Sequence, residues 1–169
     1  MKKFFAILLL LLLPTTSKAN LEDVGNATCK VYSDSGTGSG VVFLENETDY
    51  FVLTAGHIVY LPDGSLDKTI ELEFFINGFK SKKITSIVDH ALLLDGTTYG
   101  CPAGRWPSGQ KGHVLYYHPS RLIVTPNPIG GRSGSGVFDE KGEKIIGIII
   151  WKDGTAVPAA KIKKLLTGS

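Results

Sequence analysis

The chain has 169 residues, 43% of them apolar, with 18 lysines and arginines against 16 aspartates and glutamates. A net charge of +2 is too small to neutralise a run of phosphates, which excludes a nucleic-acid partner held by bulk charge. The length suits one domain with a core of ordinary size.

Met1-Lys2-Lys3 opens the chain, an apolar run covers Phe4 to Leu13, and Ser17-Lys18-Ala19 supplies small residues at a cleavage position. This is the pattern of a secretory signal peptide over residues 1–19, too short for a membrane span. Cleavage after Ala19 leaves 150 residues and takes Lys2, Lys3 and Lys18 away, so the mature chain carries −1. No cysteine stands at the cleavage site, so a lipid anchor is not expected. The protein is expected to be secreted or periplasmic, monomeric, and without stable membrane association once cleaved.

From residue 28 onward, short apolar runs of period two are closed by Gly, Asn or Asp, and this predicts an all-β, antiparallel fold. Strands are expected at Cys29–Ser33, Ser39–Leu44, Tyr50–Thr54, Ile70–Phe75, Phe79–Ile87 and Ala91–Leu94, with Asn77-Gly78 as a hairpin turn. A stretch rich in Gly, Pro and Ser, about 96–112, reads as a linker. Further strands are expected at His113–Tyr117, Arg121–Thr125, Ser135–Phe138, Lys144–Trp151 and Thr155–Val157, with Asp153-Gly154 turning the last pair. Residues 159–166 have helical spacing, with Ile162, Leu165 and Leu166 on one side and Lys161, Lys163 and Lys164 in solvent.

Three segments carry chemistry. Thr54-Ala55-Gly56-His57 ends a strand, Asp89-His90-Ala91-Leu92-Leu93 begins another, and Gly131-Arg132-Ser133-Gly134-Ser135 lies in a glycine-rich turn. A serine nucleophile needs a base to take its proton and a carboxylate to hold the base's tautomer, and Ser133, His57 and Asp89 supply these. A carboxylate at the head of an apolar strand is costly to bury unless it accepts a hydrogen bond, and the His57 imidazole is the obvious donor. Asp95, beside Gly96, reads as a surface turn residue. The glycines around Ser133 let successive N–H groups converge, so those of Gly131 and Ser133 are the candidate oxyanion hole.

Other readings fail on spacing. Gly36-Thr37-Gly38-Ser39-Gly40 is followed by a β-run and no Gly-Lys-Ser/Thr, so it is not a phosphate loop. His90, His113 and His118 have no zinc-ligand spacing with the cysteines, and neither a metal nor a cofactor is expected. Cys29 and Cys101, exported to an oxidising compartment, are expected to form one disulfide. Neither lies in a glycine-rich turn that would suit a thiol nucleophile.

The order His, Asp, Ser, with Gly38-Ser39-Gly40-Val41-Val42-Phe43 before the histidine and Ile146-Gly147-Ile148 and Gly154-Thr155-Ala156-Val157-Pro158-Ala159 after the serine, resembles the chymotrypsin-like serine proteases. The likeness covers roughly residues 36 to 166 and is nearest to the short bacterial and viral branch, including HtrA/Deg-type proteases and glutamyl endopeptidases. It implies two antiparallel barrels of six strands each, the first over about 28–95 and the second over about 113–158, with the triad in the cleft between them. By the same likeness Asn127 lies near the base of the primary pocket, and Ile150, Trp151 and Lys152 form its wall and pair with the substrate backbone. An uncharged pocket floor points to apolar or small side chains, and the three isoleucines at 148–150 stand where glutamyl endopeptidases carry a histidine. No PDZ-type module follows, unlike HtrA/Deg chains.

The sequence therefore predicts a secreted serine endopeptidase acting on protein or peptide substrates. Its alternative is a catalytically silent, protease-like binding module, or a protease of narrow maturation specificity. Trypsin-like zymogens pair a new N-terminal ammonium with a carboxylate immediately before the nucleophile. Arg132 occupies that position here, so no such activation is expected.

Overall fold

A computed structural model of the protein describes residues 21–74, 83–84, 94–105, 108–118 and 120–168. The elements run α1 (Leu21–Asn26), β1 (Thr28–Ser33), β2 (Gly36–Glu45), β3 (Tyr50–Thr54), α2 (Gly56–Val59), β4 (Glu71–Phe74), β5 (Lys83–Ile84), β6 (Leu94–Gly100), a 3₁₀ turn (Pro102–Gly104), β7 (Ser108–His118), β8 (Arg121–Thr125), β9 (Gly136–Asp139), β10 (Lys144–Ile149), β11 (Thr155–Pro158) and α3 (Ala159–Thr167). The predicted signal peptide, the Asn77-Gly78 turn and most of the two strands expected over 79–94 lie outside the described residues. Among the described residues no helix is long and apolar enough to cross a membrane.

The chain folds into two β-layers. In the first half the order is β3-β2-β1-β4, all antiparallel, with Cys29 opposite Gly40 and Val31 opposite Gly38. In the second half the order is β11-β8-β7-β6-β9-β10, and β10 pairs back onto β11, so six strands close into a barrel. Closure satisfies both edges, which an open sheet would leave unpaired. β5 lies parallel beside the start of β10.

The strand β10 shows why the apolar pattern takes this form. Ile146 and Ile149 point into the barrel with Val114, Leu122, Val124, Val137 and Ala156. Ile145 and Ile148 join a second cluster with Val24 of α1, Val41 of β2, Phe138 of β9 and Ile162 of α3. An irregularity between Ile145 and Gly147 resets the side-chain alternation. A strand buried on both faces reads as a near-continuous apolar run, as Lys144–Trp151 does in the sequence. This second cluster is the seam between the two halves.

Four expectations are corrected. Residues 96–112 are not a linker, because they contain most of β6 and the first part of β7, paired as an antiparallel hairpin from Leu94–Val114 to Gly100–Ser108. Glycine at 96, 100 and 112 resembles loop composition but here serves close packing inside a barrel, where Val114 and the Phe138 carbonyl crowd Gly96. Asp95 is accordingly a residue of β6, exposed, with His113 Nδ1 at 2.8 Å from its Oδ1. On α3, which packs on β10 and β11, only Ala159 and Ile162 are buried, while Leu165 and Leu166 face solvent.

The last correction concerns the cysteines. Cys29 and Cys101 are free thiols, both fully buried. Burial pushes the Cys29 thiol up to about 12, with the neighbouring Cys101 adding to the rise, and burial pushes Cys101 up to about 11. Disulfide exchange proceeds through a thiolate that an oxidant can reach. In the folded chain both thiols are closed off from solvent, so an oxidant that arrives after folding does not reach them.

Candidate active site

Ser133 sits in the tight turn that leads into β9. Gly131 and Gly134 have φ of +90° and +85°, in the left-handed region where a side chain is strained. The turn is held from within and from outside. Arg132 N–H donates to the Ile129 carbonyl at 3.2 Å and Ser135 N–H to the Arg132 carbonyl at 2.9 Å. Gly134 N–H donates to the Ile149 carbonyl at 2.7 Å, and Ile149 N–H returns a bond to the Ser135 carbonyl at 2.9 Å. These bonds lock the turn onto β10. The Ser133 carbonyl accepts the Ser39 N–H of β2 at 2.7 Å, so the serine turn is also fastened to the first half.

His57 lies on the short helix α2, just after β3. Ile58 anchors that helix in a cluster with Cys29, Val31 and Ala55, and Ser33 Oγ donates to the Ile58 carbonyl at 2.8 Å. With Ile58 inward, His57 faces outward, where its imidazole stacks on the Trp151 ring at 5.3 Å between centroids and 8° between planes. The helix and the serine turn meet over Gly38, where a Cβ would fall against Ile58 and 2.7 Å from the Ser133 carbonyl. A glycine is required there by this approach from two sides. Ile58, the neighbour of His57 in the first half, and the Ser133 carbonyl of the second half thus both close on Gly38. Asp89 lies outside the described residues.

Beside His57, a cavity of about 600 Å³ is lined by Asp34, Ser35, Gly56, His57, Tyr60, Leu61 and Pro62. Its wall is built on Asp67, 3% exposed. The Asp67 carboxylate accepts Ser35 Oγ at 2.6 Å and Ser35 N–H at 3.0 Å on one oxygen, and Thr69 Oγ1 at 2.7 Å and Thr69 N–H at 2.9 Å on the other. The serine and threonine bonds hold this carboxyl well below the usual range. A second cavity, about 370 Å³, is lined by Asp95, Lys111, His113 and Glu140 among others and contains neither His57 nor Ser133.

The remaining predicted residues divide. Ile150 packs against the first-half cluster, and the N–H groups of Ile150 and Trp151 both donate to the Thr155 carbonyl, at 2.9 and 3.2 Å. Trp151, 56% exposed, and Lys152 stand in solvent next to the histidine. Asn127 is exposed in the loop after the cis Thr125–Pro126 bond, with its main-chain carbonyl 3.5 Å from Gln110 Nε2.

Sequence reasoning passed over Ser39, treated as the start of a strand. It is fully buried, its hydroxyl donates to the Gly131 carbonyl at 2.9 Å, and that hydroxyl accepts the Cys101 N–H at 2.8 Å. The signal was the glycine on either side of it, which marks a strand approached closely by other backbone. The 3₁₀ turn at Pro102–Gly104 was hidden in the supposed linker, and its Ala103 N–H donates to the Gly130 carbonyl at 2.6 Å.

No protein-family model matches the chain, and no curated protein matches it. Among solved structures, an inactive serine-to-alanine mutant of Rv3671c from M. tuberculosis H37Rv is similar with a TM-score of 0.65 at 11% identity, over 88% of each chain. Deg5 gives a TM-score of 0.64 at 14% identity over 85% of this chain and 89% of its own. The serine endoprotease from Yersinia pestis gives 0.63 at 18% identity over 92% of this chain and 67% of its own. The protein has the all-β, chymotrypsin-like fold of these serine proteases, as the sequence resemblance implied.

Proposed function

We propose that the protein is a serine endopeptidase exported from the cytoplasm, which cleaves peptide bonds through Ser133, His57 and Asp89. The observation that carries this reading is the meeting over Gly38 of the helix bearing His57 and the glycine-framed turn bearing Ser133. In the first step Ser133 Oγ attacks the scissile carbonyl carbon while His57 takes the hydroxyl proton, and Asp89 accepts the other imidazole N–H and stabilises the imidazolium. The carbonyl oxygen becomes an oxyanion held by the N–H groups of Gly131 and Ser133. Collapse breaks the C–N bond, His57 returns the proton to the leaving amine, and an acyl-enzyme remains. Water then attacks the ester by the same route and regenerates Ser133.

The two sides of His57 divide the substrate. Trp151, with Ile150 and Lys152, borders the acyl side, where Asn127 would sit toward the primary pocket and apolar or small side chains are accepted. The cavity formed by Gly56, Tyr60, Leu61 and Pro62 borders the side on which the leaving amine departs. A fluorophosphonate probe, which phosphonylates an activated serine, should label the mature protein and not Ser133→Ala. Ser133→Ala, His57→Ala and Asp89→Asn should each lower peptide hydrolysis by about 10³-fold or more while far-UV circular dichroism stays unchanged. Labelling that persists in Ser133→Ala, or hydrolysis lost in Ser135→Ala alone, would move the nucleophile elsewhere. Wild-type protein that is never labelled would favour a binding module.

A further inference from the structure

We propose that Ser39 and the backbone N–H of Ala103 are positioning elements of the oxyanion hole, orienting the peptide planes on the two sides of Gly131. The proposal rests on the reading of Ser133 as nucleophile and of the Gly131 and Ser133 N–H groups as the hole.

In a trans peptide the C=O and N–H point in opposite directions. The Gly130 carbonyl accepts the Ala103 N–H at 2.6 Å, so the Gly131 N–H of the same unit points away from the 102–104 turn. The next unit is held by its own carbonyl, since Gly131 O accepts the Ser39 hydroxyl at 2.9 Å. That hydroxyl has one proton, and the Cys101 N–H, 2.8 Å away, occupies its acceptor side. Its direction is therefore determined from both ends. The third unit turns its carbonyl to the Ser135 N–H at 2.9 Å, which directs the Ser133 N–H the other way.

Two features show that this contact is tightly constrained. Ala103 has φ of 52° and ψ of 33°, a left-handed conformation that an alanine seldom takes. In that conformation its amide meets the Gly130 carbonyl, and strain of this kind persists where the surroundings over-determine it. Gly131, for its part, has no room for a side chain, because a Cβ would lie 2.6 Å from both the Ala103 nitrogen and the Cys101 carbonyl oxygen. Ser39 is closed off from water. Without its hydroxyl, Cys101 N–H and Gly131 C=O would be left unpaired in the interior. Rotation of the 131–132 peptide to re-pair the Gly131 carbonyl changes the dihedrals on either side of it, and so displaces the flanking N–H groups of Gly131 and Ser133 that form the hole.

The test compares Ser39→Ala with a protein in which Ala103 is replaced by lactic acid, which exchanges only the N–H for an ester oxygen. Ground-state binding is read from the KM of a peptide anilide and from the inhibition constant of the matching peptide amide. Transition-state binding is read from kcat and from the affinity for a peptide boronate, whose tetrahedral adduct places an oxygen in the hole. Ser39→Ala and the lactate variant should lose about 10- to 100-fold in kcat, with KM and amide affinity within about twofold of wild type. Boronate affinity should fall in the same proportion. Should kcat fall with boronate affinity retained, or should KM and kcat both be unchanged in the lactate variant, the two groups have only a structural role and the proposal is wrong. If Ser39→Ala does not fold, the lactate variant decides alone. Failure of the wild type to react with a fluorophosphonate is a separate result, which overturns the endopeptidase reading itself.

Discussion

Arg132 is 2% exposed and immediately precedes Ser133. Its guanidinium donates to the Thr98 carbonyl at 3.3 Å, to Thr98 Oγ1 at 3.2 Å and to Ser108 Oγ at 2.9 Å, while its Nε has no partner among the described residues. Burial lowers its pKa, which is the expected direction for a cation moved out of water. Three neutral acceptors across two strands suit a planar fork and do not suit a single ammonium. Arg132→Lys should therefore lose at least one of these anchors and destabilise the fold by about 1–3 kcal/mol, measured by urea unfolding. An unchanged midpoint and slope would show that the fork is not needed. The sequence placed Arg132 beside Ser133 and so argued against an ammonium switch, but its partners are 24 and 34 residues away. No local pattern points to Thr98 or Ser108, because both lay in the stretch that composition assigned to a linker.

Among the elements, α1 and the segment around Asp67 each allow a test. Val24 of α1 is fully buried in the seam between the halves, so that helix is packed in place there. With Arg132 already bound to β6 and β7, no carboxylate awaits an inserted ammonium. Extending the mature protein at Asn20 by a few residues should leave kcat/KM within about twofold. Silencing by the extension and recovery on trimming would establish an N-terminal switch. The Asp67 clasp makes a pH prediction. Its carboxyl is depressed, so its contribution is full above the unfolded value of about 3.9 and is lost as pH falls toward the lower folded value. Asp67→Asn should melt below wild type at pH 7, and the gap should narrow as pH drops below about 4. A gap that stays constant with pH would mean that the charge is not what holds Ser35 and Thr69.

At the scale of the whole molecule, two free thiols enclosed in the core make a further prediction. Ellman's reagent should find neither Cys29 nor Cys101 in the native protein and both after unfolding in urea without reductant. Finding neither in urea would mean that they are bridged. The sign of their pH effect follows from their raised values. Their stabilisation is full below the unfolded value near 8.5 and is lost as pH rises toward 11 and 12. The slope is at most about 1.4 kcal/mol per pH unit for each thiol, and Cys29→Ala should flatten it between pH 9 and 11. Equal slopes in variant and wild type would show that Cys29 titrates alike in the folded and unfolded chain and is not raised by burial.

Local pattern settled the elements that alternate cleanly or lie buried on both faces. The strands near 28–33, 50–54 and 121–125 and the apolar run before Trp151 stand where they were read, and the glycines of 131–134 marked a sharp turn before its partners were known. These features are legible because a strand's burial and a glycine's dihedral freedom are properties of a few consecutive residues. Tertiary structure decided the rest. Whether 96–112 is loop or hairpin depends on which strands lie alongside, since a glycine needed for close packing cannot be told from a glycine that loosens a loop. That Cys29 and Cys101 are enclosed together in the core is likewise decided by the fold. The place of Ser39 depends on backbone arriving from Cys101 and Gly131, 62 and 92 residues along the chain. A hydroxyl acquires its direction only from the groups the fold brings to it, and that information is absent from any window of neighbouring residues.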